Sequence, residues 1–162
     1  MPKARPSPAR QLGAGAVFLG AVTMAGTVGA LSSITAADSL ELNLPSWSPP
    51  SYLFGPIWLV LYLMIALSGW LVWRDVEDSA TPITAYCVQL SLNAAWTPVF
   101  YGARLYGLAF LEVVLLFFAI TATGWLFWRV HRPAALLLLP YWLYTAFACA
   151  LNFAIWRMNP GL

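Results

Sequence analysis

Five stretches of the chain, at residues 12–34, 52–73, 83–101, 105–128 and 134–156, run almost without charge between short polar breaks. About 20 apolar residues is the length that crosses the ~30 Å hydrocarbon core as an α-helix. Inside that core each backbone polar group must be satisfied within its own segment, so such runs become helices. Together they use up most of the 162 residues and leave no room for a water-soluble domain. The pattern predicts an all-α membrane protein, a five-transmembrane-helix bundle, forming a single domain over residues 1–162. The composition agrees, with 61% hydrophobic and 9% charged residues where soluble domains carry about 25% charged.

The first run follows Lys3, Arg5 and Arg10 and ends near Ala36 and Ala37, which resembles a secretory leader. A leader's apolar stretch spans about 7–15 residues, and this one is longer. It also carries Ala16-x-x-x-Gly20, Ala21-x-x-x-Ala25 and Gly26-x-x-x-Ala30, spacings that let helix backbones approach closely in lipid. A retained, packed helix is the expectation. Positive loops stay cytoplasmic. Lys3, Arg5, Arg10, Arg74, Arg129 and Arg132 fall on one side of the alternating loops, and only Arg104 and Arg157 on the other. The N-terminus is therefore expected inside and the C-terminus outside.

Several chemistries are not supported by the sequence. A net charge of +2 with 8 Lys and Arg offers no basic surface for a polyanionic backbone, so no nucleic-acid partner is expected. Cys87 and Cys149 lie within predicted spans, without a Cys-x-x-Cys neighbour, and read as small apolar residues. No phosphate loop, nucleophile elbow or zinc-binding His motif occurs. The lone His131 sits among Arg129 and Arg132 on the expected cytoplasmic side, and reads as a surface histidine rather than an axial haem ligand. No metal site and no obligatory cofactor are expected.

The nine tryptophans separate by depth. Trp70, Trp73, Trp125, Trp128 and Trp156 stand at span ends beside Arg74, Arg129 or Arg157, where an indole keeps its ring in lipid and its N–H near water. Trp47 lies in the long loop at 35–50, and Trp58 and Trp96 lie inside spans. At a rise of about 1.5 Å per residue, Trp58 falls roughly 10 Å and Trp96 roughly 9 Å below the outer boundary. Asn152 comes at roughly 8 Å, Glu112 at roughly 10 Å and Asn93 at roughly 14 Å on the same measure. Gln89 and Asn93 share a helix face. Polar side chains at such depth turn inward to join helices or line a site. Glu112, the only carboxylate at that depth, is also within snorkelling reach of the boundary. Pro56, Pro98 and Pro140 fall inside spans, where each is expected to kink its helix and help open a cavity beneath the loop. Pro45, Pro49 and Pro50 stiffen that loop, which reads as a lid.

These residues resemble the TspO/MBR family, also described as tryptophan-rich sensory proteins, translocator proteins or peripheral benzodiazepine receptors. The resemblance rests on Pro45-Ser46-Trp47-Ser48-Pro49-Pro50, Gly55-Pro56-Ile57-Trp58 with Tyr62, and the run from Gln89 through Asn93, Trp96, Thr97 and Pro98 to Phe100. It continues through Gly102-Ala103-Arg104, Pro140-Tyr141, Ala146-Phe147-Ala148, Leu151-Asn152-Phe153 and Trp156-Arg157. It implies a five-helix bundle, often a homodimer, in contact with membrane lipids. It also implies binding of porphyrins, haem-like tetrapyrroles, sterols and benzodiazepine-type ligands in a pocket beneath the first loop. The pocket positions carry over to Trp47, Trp58, Tyr62, Asn93, Trp96, Tyr144 and Ala148. Bacterial members are regarded as stress, oxygen or light sensors, and some degrade porphyrin under light; in such an enzyme Trp58 would be the reactive ring.

Three features depart from the family pattern. Asp38-Ser39 and Leu44 replace a Trp-Tyr pair and a Lys in the first loop, and Tyr144 stands where helix five usually has a tryptophan, with Trp142 two residues away. The sterol motif is loose at Leu151, Phe153 and Arg157, while Val99, Tyr101 and Arg104 match its strict pattern. The expected function is a membrane sensor or translocator for tetrapyrroles, with a light-dependent porphyrin-degrading enzyme and a tetrapyrrole or lipid transporter as alternatives.

Overall fold

The computed structural model describes residues 6–37, 42–76 and 79–160. Among the described residues the secondary structure is entirely helical: α1 Pro8–Ala37, α2 Phe54–Asp75, α3 Ala80–Thr97, α4 Tyr106–Val130, α5 Arg132–Leu137 and α6 Leu139–Met158. Short connections force neighbouring helices to run up and down. α4 packs between α3 and α6, α1 against α2 and α3, and α5 against α2 and α4.

Four described stretches are long and apolar enough to cross a membrane: Pro8–Ser32, Ser51–Asp75, Tyr106–Val130 and Arg132–Met158. With large apolar side chains such as Leu12, Val17, Met24, Leu59 and Phe118 exposed around the bundle, this is an integral membrane protein. α3 is the exception to the predicted five. Its 18 residues include Thr81, Thr84, Gln89, Ser91, Asn93 and Thr97, which lower its mean hydropathy, and Gln89 and Asn93 are buried within the bundle.

The three intramembrane prolines behave differently from one another. Pro56 causes no kink because α2 begins at Phe54, and in a first turn the missing N–H has no intrahelical partner to lose. Pro98 opens a π turn over Pro98–Gly102, in which the Ala103 N–H donates to the Pro98 carbonyl at 2.8 Å. That wider turn accommodates a residue that cannot donate into the regular ladder. It leads to Arg104, which has φ 57°. Pro140 follows the break between α5 and α6, where the Leu138 N–H turns back to the Ala135 carbonyl at 3.0 Å.

Two apolar clusters hold the bundle. The larger gathers Phe18, Ile65, Tyr86, Phe127 and Tyr141 toward one end, and the smaller gathers Phe100, Tyr106, Ala109, Leu151 and Ile155 toward the other. Gly69 is needed in the first, because a Cβ there would stand 2.8 Å from Phe18 and 2.9 Å from Tyr86. One end of the bundle carries arginines on indoles: Arg74 lies 4.4 Å above Trp70, Arg129 3.9 Å above Trp125 and Arg132 5.5 Å above Trp128. Trp70 also donates to the Gln11 carbonyl at 3.1 Å.

His131 is not a plain surface residue at this end. Its Nδ1 accepts from the Ala134 N–H at 3.2 Å, capping α5, and its Nε2 stands 3.3 Å from the Asp75 carboxylate. Arg74 holds that carboxylate with two bonds of 2.6 and 2.7 Å.

Candidate functional site

The partly buried rims of the two clusters face a cavity of about 390 Å³, within the range of small-molecule sites. α2 supplies Trp58 and Tyr62, α3 supplies Asn93, Trp96 and Thr97, and α6 supplies Tyr144, Ala148, Leu151 and Asn152. The helical periodicity explains the selection: 58 and 62, 93 and 97, and 144, 148 and 152 each recur at i, i+4 on one face. Most of the wall is apolar, with a few convergent polar groups.

The aromatic rings form two sets. Trp58 lies 5.2 Å from Tyr62, 5.4 Å from Tyr144 and 6.1 Å from Tyr141 between ring centroids. Trp96 stacks on Phe100 at 4.9 Å and meets Tyr101 edge-on at 6.2 Å. These separations are those of favourable offset and edge-to-face pairs. Each set is held by hydrogen bonds to a different asparagine. The Tyr62 hydroxyl donates to Asn93 Oδ1 at 2.9 Å, and Asn93 Nδ2 donates to the Tyr141 hydroxyl at 3.0 Å. Trp96 Nε1 donates to Asn152 Oδ1 at 3.2 Å, and Asn152 Nδ2 donates to the Ala148 carbonyl at 2.8 Å. Asn93 thus joins α2, α3 and α6 while also lining the cavity.

Of the pocket residues expected from sequence, Trp58, Tyr62, Asn93, Trp96, Tyr144 and Ala148 line this cavity. Trp47 does not. It is half-exposed on the loop and touches Phe147, a wall residue, at 5.8 Å. Pro45 is buried beneath the turn in which the Ser48 N–H donates to the Pro45 carbonyl at 2.9 Å, and Pro49 and Pro50 lead from it into Ser51. Asp38 and Ser39 lie outside the described residues, and Leu44 is exposed. The loose sterol motif is divided: Leu151 faces the cavity, whereas Phe153 and Arg157 are exposed and Phe153 packs on Phe110 and Trp156. Tyr101 of the strict match is a wall residue.

Glu112 points into the protein rather than snorkelling outward. It is buried, and neither carboxylate oxygen has a hydrogen-bond partner among the described residues. It does not line the cavity. Trp142 turns to α4, donating to Thr121 Oγ1 at 2.9 Å and lying on Phe117 at 5.2 Å. The tryptophan two residues before Tyr144 is therefore a packing residue.

The wall also includes residues not read from the sequence as site residues: Gly26 and Gly29 of α1, Phe54 and Gly55 of α2, and Phe147. A Cβ on Gly26 would stand 3.0 Å from the Tyr62 ring, and one on Gly29 would stand 3.2 Å from Thr97 Oγ1. The small-residue spacing of the first span signalled close approach, but not that the approached surface would be a cavity wall.

Comparison with known proteins gives a family match and several relatives. The profile of the TspO/MBR family matches residues 16–157. The translocator protein of Homo sapiens is 40% identical over 124 residues, 74% of this chain and 73% of that protein. Protein CrtK of Rhodobacter capsulatus is 37% identical over 150 residues, 90% of this chain and 92% of its own. The tryptophan-rich sensory protein of Cereibacter sphaeroides is 34% identical over 119 residues, 74% and 75% of the two chains.

Proposed function

The chain belongs to the TspO/MBR family, and on that premise we propose that it is a five-span membrane sensor or translocator whose cavity binds a flat, largely apolar tetrapyrrole. The observation that carries this reading is the pairing of Trp58 and Trp96, each within an aromatic set and each lining one cavity. Indole and phenol rings give a planar ligand broad contact area with few rotatable bonds to immobilise. Asn93 and Asn152 stand where they reach polar substituents at the ligand's edge. The names of relatives, translocator and sensory protein, support the same class of role. On this reading the N-terminus lies in the cytoplasm and the C-terminus outside, as the distribution of Lys and Arg predicts, and the protein acts as a homodimer among membrane lipids. His131 caps α5 beside Asp75, so the cavity aromatics rather than an axial histidine hold the ring. Sterols are further candidates for the same apolar wall.

Titration of purified protein with protoporphyrin tests the reading. Tryptophan emission should quench saturably at micromolar ligand, and Trp58→Phe or Trp96→Phe should each weaken binding by about 3–10-fold, the worth of an aromatic contact of ~1 kcal/mol. Quenching that never saturates overturns it.

A second reading, light-dependent porphyrin breakdown, is favoured by the three tyrosine rings around Trp58. Illumination of the complex in air decides between them. If the porphyrin band decays no faster than in Trp58→Phe, the protein is not such an enzyme. Binding without flux across sealed vesicles would separate sensing from transport.

A further inference from the structure

The described part of the loop, residues 42–50, touches α6 in two places of different character. At the near end Trp47 makes a ring contact with Phe147 while staying half-exposed. At the far end Asn159, just beyond α6, is 5% exposed and makes three hydrogen bonds. Its Oδ1 accepts from the Asn43 N–H at 3.0 Å. Its Nδ2 donates to the Asn43 carbonyl at 3.0 Å and to the Ile155 carbonyl at 2.7 Å. A side-chain amide has the same donor and acceptor pair as a peptide unit. Asn159 therefore pairs with the Asn43 backbone as an adjacent strand would, across 116 residues of sequence, while its third bond ties the amide to the last turn of α6. Leu42 packs beside this point against the Leu151 and Ile155 cluster.

We propose that Asn159 is the hinge pin of a lid: residues 44–50 swing away from Phe147 at the Trp47 end while Asn43 stays clamped to α6. The two part-buried bonds that hold Asn43 are made to an amide that is itself 5% exposed and fixed by a third, buried bond to Ile155, so breaking them strands its polar atoms without replacement. The solvent-edged ring contact parts without stranding a polar group. Phe147 is a cavity wall residue, so release of Trp47 frees that part of the wall, and the pin returns the loop to the same register. The functional sense of the pin rests on the cavity being the ligand site; its mechanics do not.

Hydrogen exchange on ligand-free protein in lipid nanodiscs tests the pin. Asn159→Ala should speed exchange of the Asn43 amide by about tenfold or more, the signature of a local opening made easier. Trp47→Ala should speed exchange of the Ser48 amide, which closes the turn onto the Pro45 carbonyl, and leave the Asn43 amide protected. Asn43→Ala should change neither, because only the backbone of Asn43 is engaged. Asn159→Leu, close in shape and unable to hydrogen-bond, checks that any effect of the alanine is not a cavity defect, because both variants lose the same three bonds. An Asn43 amide still protected in both Asn159 variants, or exposed as fully by Trp47→Ala, overturns the hinge.

Porphyrin release then adds the functional arm. Trp47→Ala and Asn159→Ala should each shorten the bound lifetime, and Asn43→Ala should not. The exchange pattern without porphyrin binding would keep the pin and sink the proposed ligand. Porphyrin binding with unaltered release in both variants would do the reverse to the lid.

Discussion

At the scale of single residues, the glycines divide by what surrounds them. Gly69 has Phe18 and Tyr86 within 2.9 Å of where a Cβ would stand, and Tyr86 is buried between α1, α2 and α4. Gly20 has open space. Gly69→Ala should therefore cost about 1–3 kcal/mol through overpacking, whereas Gly20→Ala should be neutral or gain up to about 1 kcal/mol from helix propensity. Thermal unfolding in detergent, followed by tryptophan emission, should rank them that way; equal midpoints would contradict the packing at Gly69.

The sequence distinguishes such residues only in part. That Asn93 and Asn152 turn inward follows from the cost of an amide in lipid, and both do. Whether Asn93 joins helices or lines a cavity was open, and the structure gives it both roles. Asn159 was invisible to depth reasoning, because it lies past the last apolar run and its partner is a backbone. Glu112 was ambiguous because a carboxylate two turns from the boundary is within reach of water from one helix face but not from another. The face is set by how α4 packs between α3 and α6.

At the scale of elements, helices were legible wherever apolar length decided the matter, and less so at their ends. Pro56 illustrates the difficulty: two residues decide whether a proline kinks a helix or starts it. His131 illustrates another, since a histidine that reads from sequence as a surface residue is the N-cap of α5. In the structure its Nδ1 accepts the Ala134 N–H, which leaves the proton on Nε2, facing Asp75. One side chain thus starts α5 and ties it to the end of α2, beside the buried bond from Ser68 Oγ to the Ala134 carbonyl at 2.7 Å. His131→Ala should cost about 1 kcal/mol, the worth of a lost cap. His131→Asn restores the cap acceptor but not the reach to Asp75, so it should recover most of that loss in the same melting assay. If alanine and asparagine are equally harmful, the Asp75 contact rather than the cap is what matters.

At the scale of the whole molecule, the question is whether α3 is a crossing. Its hydropathy is low, but its polar groups are kept from lipid. Gln89 and Asn93 are buried, and Thr84 and Ser91 return their hydroxyls to the Ala80 and Cys87 carbonyls of the same helix at 2.9 Å, which lets such residues sit at depth. A window average charges these groups as if each met hydrocarbon, so composition understates the helix. Its reach is sufficient: the 18 residues of α3 and the five of the π turn extend about 34 Å at ~1.5 Å each, against a core of about 30 Å. Contacts run the length of α4, from Tyr86 on Phe127 at 6.4 Å to Phe100 on Tyr106 at 5.1 Å. Five crossings place the two termini on opposite sides of the membrane; four place them on the same side. A fluorescent protein fused at the N-terminus should therefore light in the bacterial cytoplasm, while alkaline phosphatase fused after Leu162 should be active only outside it. Inactive phosphatase with a fluorescent N-terminus would make α3 a re-entrant segment. The α4 to α5 connection, with Arg129 and Arg132, would then fall outside, across the membrane from Arg74.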